Sequence, residues 1–221
     1  RIGRPFAGLF DAIKPLKPLA AMLKLAPGAV PAKSQVNAPG VRPAEGPRKK
    51  RVALLRGCAQ SVLDPKINEA TVRLLTRLGV EVVVPDGESC CGALVHHMGQ
   101  EEPALDFARR NVDVWMREIE RGGLDAIVIT ASGCGTTIKD YHHMLRLDPA
   151  YAEKAAKVSA LAKDVTEFLS DLELPAPRGL EPLVVAYHSA CSMQHGQRVI
   201  RQPKALLAKA GFAVRDVPEG H

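Results

Sequence analysis

Aromatic residues are scarce in this 221-residue chain: one Trp, three Tyr and five Phe make up 4% of it. Surfaces that bind nucleic acid without sequence preference stack bases on exposed aromatics, so the scarcity argues against such a partner despite a net charge of +6. The charge is also placed away from the body. Residues 1–51 hold eleven Lys/Arg against two acids, and the remainder holds nineteen against twenty-two. The basicity therefore belongs to a leader, suited to solvent, to anionic lipid or to an acidic partner subunit. No apolar run reaches the roughly 18 residues of a membrane-spanning helix. The stretch 19–25 comes nearest, and Lys24 and Pro27 break it. Met is absent from position 1, so no targeting signal can be read.

Other familiar patterns are missing too. Gly133-Cys-Gly135 has neither the dinucleotide nor the Walker spacing of a phosphate loop. No two cysteines are spaced as in the C-x₂₋₄-C pairs of compact zinc modules. The five cysteines are odd in number, and Cys90 and Cys91 are adjacent. A disulfide between neighbours is far from ordinary disulfide geometry, which argues against a structural disulfide framework and for metal or redox chemistry in a reducing compartment.

What is present reads as an α/β protein. Residues 1–50 contain eight prolines and predict a linker with few contacts to the core. From Val52 the pattern changes. Val52-Ala-Leu-Leu55, Glu81-Val-Val-Val84 and Ala126-Ile-Val-Ile-Thr130 predict buried strands. Between them, Asp64-Pro65 and Pro103 open helices, and Gly79 and Gly122-Gly123 stop them. That alternation predicts a parallel sheet with right-handed crossovers. A helical hairpin is expected over 139–172, a second linker at Pro175, Pro177, Gly179 and Pro182, and then a strand–helix–strand from Leu183 to Asp216.

The chain also repeats itself. Val52-Ala-Leu-Leu-Arg-Gly-Cys58 aligns with Val185-Ala-Tyr-His-Ser-Ala-Cys191, and Val84-Pro-Asp-Gly87 with Val217-Pro-Glu-Gly220. The expected division is a Pro-rich basic linker over 1–50, a first cysteine-rich module over 51–178, and the start of a second, truncated module over 179–221. In the first copy Cys90 lies five residues after Pro85; the same offset from Pro218 falls two residues beyond His221. A natural continuation into Cys-Cys-Gly is therefore expected, without which Cys191 lacks partners.

On this scheme Cys58, Cys90, Cys91 and Cys134 each follow a strand, and in a parallel sheet they meet at its carboxyl edge, where open α/β folds place ligands. Four convergent thiolates suit an iron–sulfur cluster or zinc. Adjacent cysteines can serve different irons of one cluster but serve a single small ion awkwardly, which favours iron–sulfur chemistry. Buried packing is the bland alternative for one free cysteine, not for four at successive strand ends. His96, His97, His142 and His143 follow the cysteine loops, and His188 and His195 flank Cys191. They are read as polar residues of the surroundings, with a ligand role as the alternative. Lys139 and Asp140 read as helix-start charges.

Cys58, then Cys90-Cys91-Gly92 after 31 intervening residues, then Ser132-Gly-Cys134 resembles the cysteine-rich CCG domain, known from the heterodisulfide reductase B subunit and from respiratory dehydrogenase subunits. Thr130-Ala-Ser-Gly-Cys-Gly-Thr-Thr-Ile-Lys-Asp-Tyr-His-His-Met144, Tyr187-His-Ser-Ala-Cys191 and Val217-Pro-Glu-Gly-His221 most resemble glycolate oxidase iron–sulfur subunits. The resemblance covers about residues 50–221. It departs from the C-x-x-C ending at Thr137, which leaves a five-thiolate site out of reach of the first module. It implies repeated βαβ CCG modules, a [4Fe–4S]-type cluster held by Cys58, Cys90, Cys91 and Cys134, and Cys191 as a cofactor residue of the second module. It further implies an amino-terminal ferredoxin-like domain outside this chain, a flavoprotein partner that oxidises a 2-hydroxy acid, and a quinone or other acceptor. The expected place is the cytoplasm, with peripheral contact at the inner face of the membrane. No catalytic base or flavin site is expected here. The alternatives are a redox subunit serving lactate, glycerol-3-phosphate or a heterodisulfide, and a zinc-bound or cysteine-packed interaction module.

Overall fold

The computed structural model describes residues 12–13, 15, 17–25, 29–175 and 183–218. Five strands form the main sheet: β1 (Gly40–Arg42), β2 (Lys50–Leu54), β3 (Val80–Val84), β4 (Ala126–Ile129) and β5 (Ala162–Asp164). Their spatial order is β1-β3-β2-β4-β5. β2, β3, β4 and β5 are parallel, with Val52 opposite both Val82 and Ala126, and β1 runs antiparallel along β3.

The helices are α1 (Lys17–Leu25), α2 (Gln60–Leu63), α3 (Lys66–Arg77), α4 (Ala93–His97), α5 (Glu101–Gly122), α6 (Ser132–Lys139), α7 (Tyr141–Met144), α8 (Ala152–Leu161) and α9 (Val165–Ser170). Strand side chains alternate between faces, and the core divides accordingly. Val52, Leu54, Val82 and Val128 pack on one face with Val72 and Leu75 of α3 and Phe168 and Leu169 of α9. Ala53, Leu55, Ile127 and Ile129 pack on the other with Val112 and Trp115 of α5, Ile138 of α6 and Tyr141 of α7. Helices thus cover both faces, as near-continuous apolar strands require.

A second βαβ unit follows: β6 (Val184–Tyr187), a π-helical turn over Ser192–Gln197, α10 (Gln202–Lys209) and β7 (Ala213–Asp216). β6 and β7 are parallel, as the repeat predicts. Leu183 and Val184 are well exposed, whereas Val52, Ala53 and Leu54 of the first unit are fully buried. A two-stranded sheet with one helix cannot cover both of its faces.

Three expectations need correction. Residues 29–50 do not form a tether with few contacts: β1 pairs with β3, the Glu45 and Lys49 amides donate to Thr76 and Gly79 carbonyls, and Val36 packs on the core. The prolines permit this because β1 is an edge strand, where missing donors are tolerated. The 139–172 stretch is not a helical hairpin, because 162–164 pair with β4 as a fifth strand. That segment contains one buried Ala, too little for an apolar-run signal. Lys139 ends α6 rather than opening a helix, and its Nζ pairs with Glu167. Pro177, Gly179 and Pro182 of the second linker, residues 1–11 of the leader, and Glu219-Gly-His221 of the recurring motif lie outside the described residues.

Arg51 locks the amino-terminal edge of the sheet. Its guanidinium bonds Glu81 at 3.0 Å, Glu118 at 2.7 Å and the Gly123 carbonyl at 2.8 Å, and its backbone amide donates to Asp125 at 2.7 Å. Arg51→Leu leaves the buried Glu118 carboxylate with only the exposed Arg121, 3.3 Å from its Oε1, as a charged partner. The expected outcome is a loss of about 2–4 kcal/mol in urea unfolding, with thiol reactivity at the opposite edge of the native protein unchanged.

Candidate metal centre

Because β2, β3 and β4 run parallel, the loops that follow them share one edge. The strand order reverses direction at β2, which places a crevice between the loops after β2 and β4. After β2 the chain turns through Gly57 at φ +70°, where an added Cβ would come within 2.9 Å of the Gln60 side chain. This turn presents Cys58 at the surface. Asn68 of α3, fully buried, holds the turn from behind: its Nδ2 donates to the Arg56 carbonyl at 2.8 Å, and its Oδ1 accepts from Gln60 at 2.7 Å. Gln60 Nε2 also reaches the Thr130 hydroxyl after β4 at 2.6 Å, so one amide chain ties two cysteine loops together.

The loop after β3 carries Cys90 and Cys91. Asn111 of α5 is fully buried; its Oδ1 accepts from the Ser89 amide at 2.9 Å, and its Nδ2 donates to the Cys90 carbonyl at 2.9 Å. Tyr141 of α7, also fully buried, donates its hydroxyl to the Cys91 carbonyl at 2.8 Å and accepts from Asn111 Nδ2 at 3.1 Å. Its ring stacks against Trp115, with centroids 6.4 Å apart. Burial pushes the Tyr141 phenol well above its usual range, so it remains a donor. Gly92 stands at φ +84°, and a Cβ there would lie 3.2 Å from the Ala104 carbonyl oxygen and 3.3 Å from Phe107. The glycine after the paired cysteines thus lets the loop turn left-handed while pressed against α5.

Glu88 braces the same loop from the Cys58 side. Its Oε1 accepts the Arg56 amide at 3.0 Å, and Arg56 Nη2 donates to the Glu88 carbonyl at 2.8 Å. Burial pushes the Glu88 carboxyl up to about 7, with the Arg56 amide and charge only partly offsetting it.

Cys134 lies in the first turn of α6, directly after β4. The Sγ atoms of Cys58 and Cys90 are 3.7 Å apart. The Cys91 thiol hydrogen-bonds Cys134; that bond and burial push Cys91 far up, and the same bond lowers Cys134. Burial pushes Cys58 up, reinforced by its bond to Cys90 and by the charges of Cys90 and Cys91. Four thiols within mutual electrostatic reach resist joint ionisation, and a bound cationic group relieves that cost.

The donor set is therefore all sulfur and arranged as two pairs. Among the described residues, no three Cys, His, Asp or Glu side chains close on a single ion position. Two separate thiol pairs fit a polynuclear iron–sulfur group, which offers different metal atoms to different pairs, better than a single tetrahedral ion, which needs all four sulfurs around one point.

Cys191 is exposed at the start of the π-helical turn, with no hydrogen bond joining it to the other four cysteines. Its segment nevertheless docks on α6. Ser192 Oγ donates to Ser132 Oγ at 2.8 Å, Thr136 Oγ1 donates to the Ser192 carbonyl at 3.1 Å, and Gln197 Nε2 donates to the Ser132 carbonyl at 2.8 Å. His96, His97, His142, His143, His188 and His195 are exposed, and His142 Nδ1 lies 2.8 Å from the Lys139 carbonyl oxygen. Thr137 turns its hydroxyl back to the Gly133 carbonyl at 3.1 Å.

Sequence reading missed Asn68, Asn111, Tyr141, Arg56 and Glu88. A signal for the two asparagines was available. Asn68 lies four and seven residues before Val72 and Leu75, and Asn111 four before Trp115, so both are amides on apolar helix stripes.

Asn111→Ala leaves the Ser89 amide and the Cys90 carbonyl without their buried partner. The expected outcome is a loss of about 2–3 kcal/mol in urea unfolding and faster alkylation of Cys90 and Cys91 by a maleimide, followed by peptide mass mapping. Tyr141→Phe, which removes one bond and keeps the ring, should cost about 1–2 kcal/mol and loosen Cys91 more than Cys90.

Comparison with known proteins matches residues 52–139 to the cysteine-rich domain CCG. The glycolate oxidase iron–sulfur subunit of Escherichia coli (strain K12) is 44% identical over 175 residues, which is 78% of this chain and 42% of that protein. A protein of Bacillus subtilis (strain 168) named probable glycolate oxidase iron–sulfur subunit is 32% identical over 86% of this chain and 42% of its own length. Lactate utilization protein A of Bacillus cereus (strain B4264) is 28% identical over 76% of this chain and 69% of its own length. The chain thus spans about two-fifths of the glycolate oxidase relatives it matches. Residues 52–139, which hold Cys58, Cys90, Cys91 and Cys134, match the cysteine-rich CCG domain, in a chain that resembles glycolate oxidase iron–sulfur subunits over most of its length.

Proposed function

We propose that this chain is part of an iron–sulfur electron-transfer subunit in a complex that oxidises a 2-hydroxy acid, glycolate being the favoured substrate. The observation that carries the reading is the set of four thiols from three loops at one edge of a parallel sheet. The similarity to glycolate oxidase iron–sulfur subunits supports the reading and its substrate.

Cys58, Cys90, Cys91 and Cys134 would hold the cluster, of [4Fe–4S] type, and such a group supplies one-electron transfer at a potential set by its surroundings. The chain's own residues supply the rest. Asn111 and Tyr141 fix the Cys90 and Cys91 carbonyls and so the direction of both thiols. Asn68 and Gln60 hold the Cys58 turn to the β4 loop. Burial of Cys91 keeps water from the inner side of the site. A flavoprotein subunit would take the hydride from the substrate, this subunit would pass single electrons towards a quinone, and no residue here acts as a catalytic base. No helix among the described residues is long and apolar enough to cross a membrane. We place the complex in the cytoplasm, at the inner face of the membrane. Division into a leader over 1–50, a first module over 51–178 and the start of a second over 179–221, with Cys191 as its first ligand, belongs to the same reading.

Anaerobic preparation of the full subunit, with iron and acid-labile sulfide analysis and EPR before and after reduction, tests the proposal. Iron and sulfide in equal amounts support it, and stoichiometric zinc without sulfide selects the non-redox alternative. Cys91→Ser should lose the share of iron, absorbance and EPR signal that belongs to this cluster, relative to the unsubstituted subunit, while keeping its far-UV circular dichroism. The reason is that a hydroxyl is a harder and far less acidic donor than a thiol. Iron content unchanged in that variant removes Cys91 from the ligand set.

A further inference from the structure

Cys134 is held from two sides, and only one of them lies within the segment that matches the CCG domain. On that side its thiol is bonded to Cys91, and its turn follows directly on β4. The other side comes from the second βαβ unit, whose π-helical turn over Ser192–Gln197 lies against α6. The Gln197 side chain brackets the cysteine along the chain. Its Nε2 donates to the carbonyl of Ser132, just before Cys134, at 2.8 Å, and its amide lies over Gly135, just after it. A Cβ at Gly135 would stand 2.6 Å from Gln197 Nε2 and 2.9 Å from its Cδ.

The fit is reciprocal. At Gly196 an added Cβ would stand 2.9 Å from Thr136 Cγ2, so each unit omits a side chain where the other inserts one. Neither glycine has a positive φ, and both are needed for space rather than for conformation. A second point of attachment lies on the far face of the sheet, where Leu206 of α10 packs against the core that contains Phe168 and Leu169 of α9. The π-helical turn is thus fixed to the first unit and not merely near it.

Several unfavourable features meet at Gln197. Gly135 stands inside α6, where alanine is the better helix former. The π-helical turn is a rare conformation that recurs at functional sites. Arg198, directly after Gln197, is the one non-glycine residue among those described with a left-handed φ, +59°. Gln197 itself is buried, and its Oε1 has no hydrogen-bond partner among the described residues, so packing alone would favour an apolar side chain of the same length. What the amide supplies against these costs is a donor to the turn that carries Cys134.

We propose that Gln197 is a positioning residue for Cys134, and that through it the second unit sets the direction of one thiol of the first site. The thiol part of this proposal stands on the metal-free chain. Its consequence for a cluster rests on the function proposed above.

The test compares the parent with Gln197→Met, which keeps the length of the side chain and removes the donor. In the full metal-free chain, maleimide alkylation with peptide mass mapping gives a rate for each cysteine. Cys134 should react about threefold faster or more, the factor that one neutral hydrogen bond carries, with Cys58 unchanged. Gly135→Ala displaces the Gln197 amide from the other unit and should have the same effect. Adding Gln197→Ala makes room for the new methyl group, so the double variant should regain the urea midpoint that Gly135→Ala loses while Cys134 stays fast. In the full subunit, the EPR signal that Cys91→Ser removes should shift in position or in reduction midpoint in Gln197→Met, at unchanged iron content. A Cys134 rate equal to the parent's, or Cys58 and Cys134 accelerating together, overturns the proposal, and an unmoved signal overturns its consequence for the cluster. A faster Cys134 with no signal lost in Cys91→Ser counts against the cluster reading and supports the positioning role.

Discussion

Parallel pairing is the constraint from which the rest of this molecule follows. Each strand from β2 to β5 must be re-entered from the same end, so each crossover returns across a face and every strand-end loop emerges at one edge. Residues separated by dozens of positions, such as Cys58 and Cys134, thereby become neighbours without any local motif. The same rule sends Arg51, Glu118 and Asp125 to the opposite edge, where they lock the strand starts and leave the thiol edge to other chemistry.

Topology brings the loops together but does not aim the side chains. That task falls to polar groups buried inside otherwise apolar helices. Asn68 and Asn111 each spend a helix position that packing alone would give to Leu or Val, and each satisfies backbone groups of a cysteine loop. A buried amide is tolerated only when its partners are in place, so these residues both require and enforce one loop conformation. Gly92 performs the complementary role by its lack of a side chain, since its left-handed φ of +84° and tight approach to α5 would strain any Cβ placed there.

The sheet, its strand sequence and the four-cysteine cluster were legible because apolar runs, helix stops and cysteines after strands are local signals. Three features were not. β5 is three residues long with one apolar side chain turned inward, and only its pairing with β4 makes it a strand. The leader's prolines gave a sound reason to deny it a central strand, but an edge strand such as β1 places no such demand on its donors. Tyr141 sits in the stretch after Cys134, and only the fold shows that its hydroxyl turns back to the Cys91 carbonyl. Long-range hydrogen bonds of this kind leave no periodicity to read.

The docked leader has a further consequence for the molecule as a solute. β3 reads Val80-Glu-Val-Val-Val84, a β-branched strand with one charge, and β1 covers its outer edge. A molecule whose leader has been clipped or displaced presents that edge to solvent as a row of open amides and carbonyls beside valine side chains. Such an edge recruits strands from other copies. β1 thus shields the outer edge of β3 from pairing with other copies, and its loss would be felt first as turbidity.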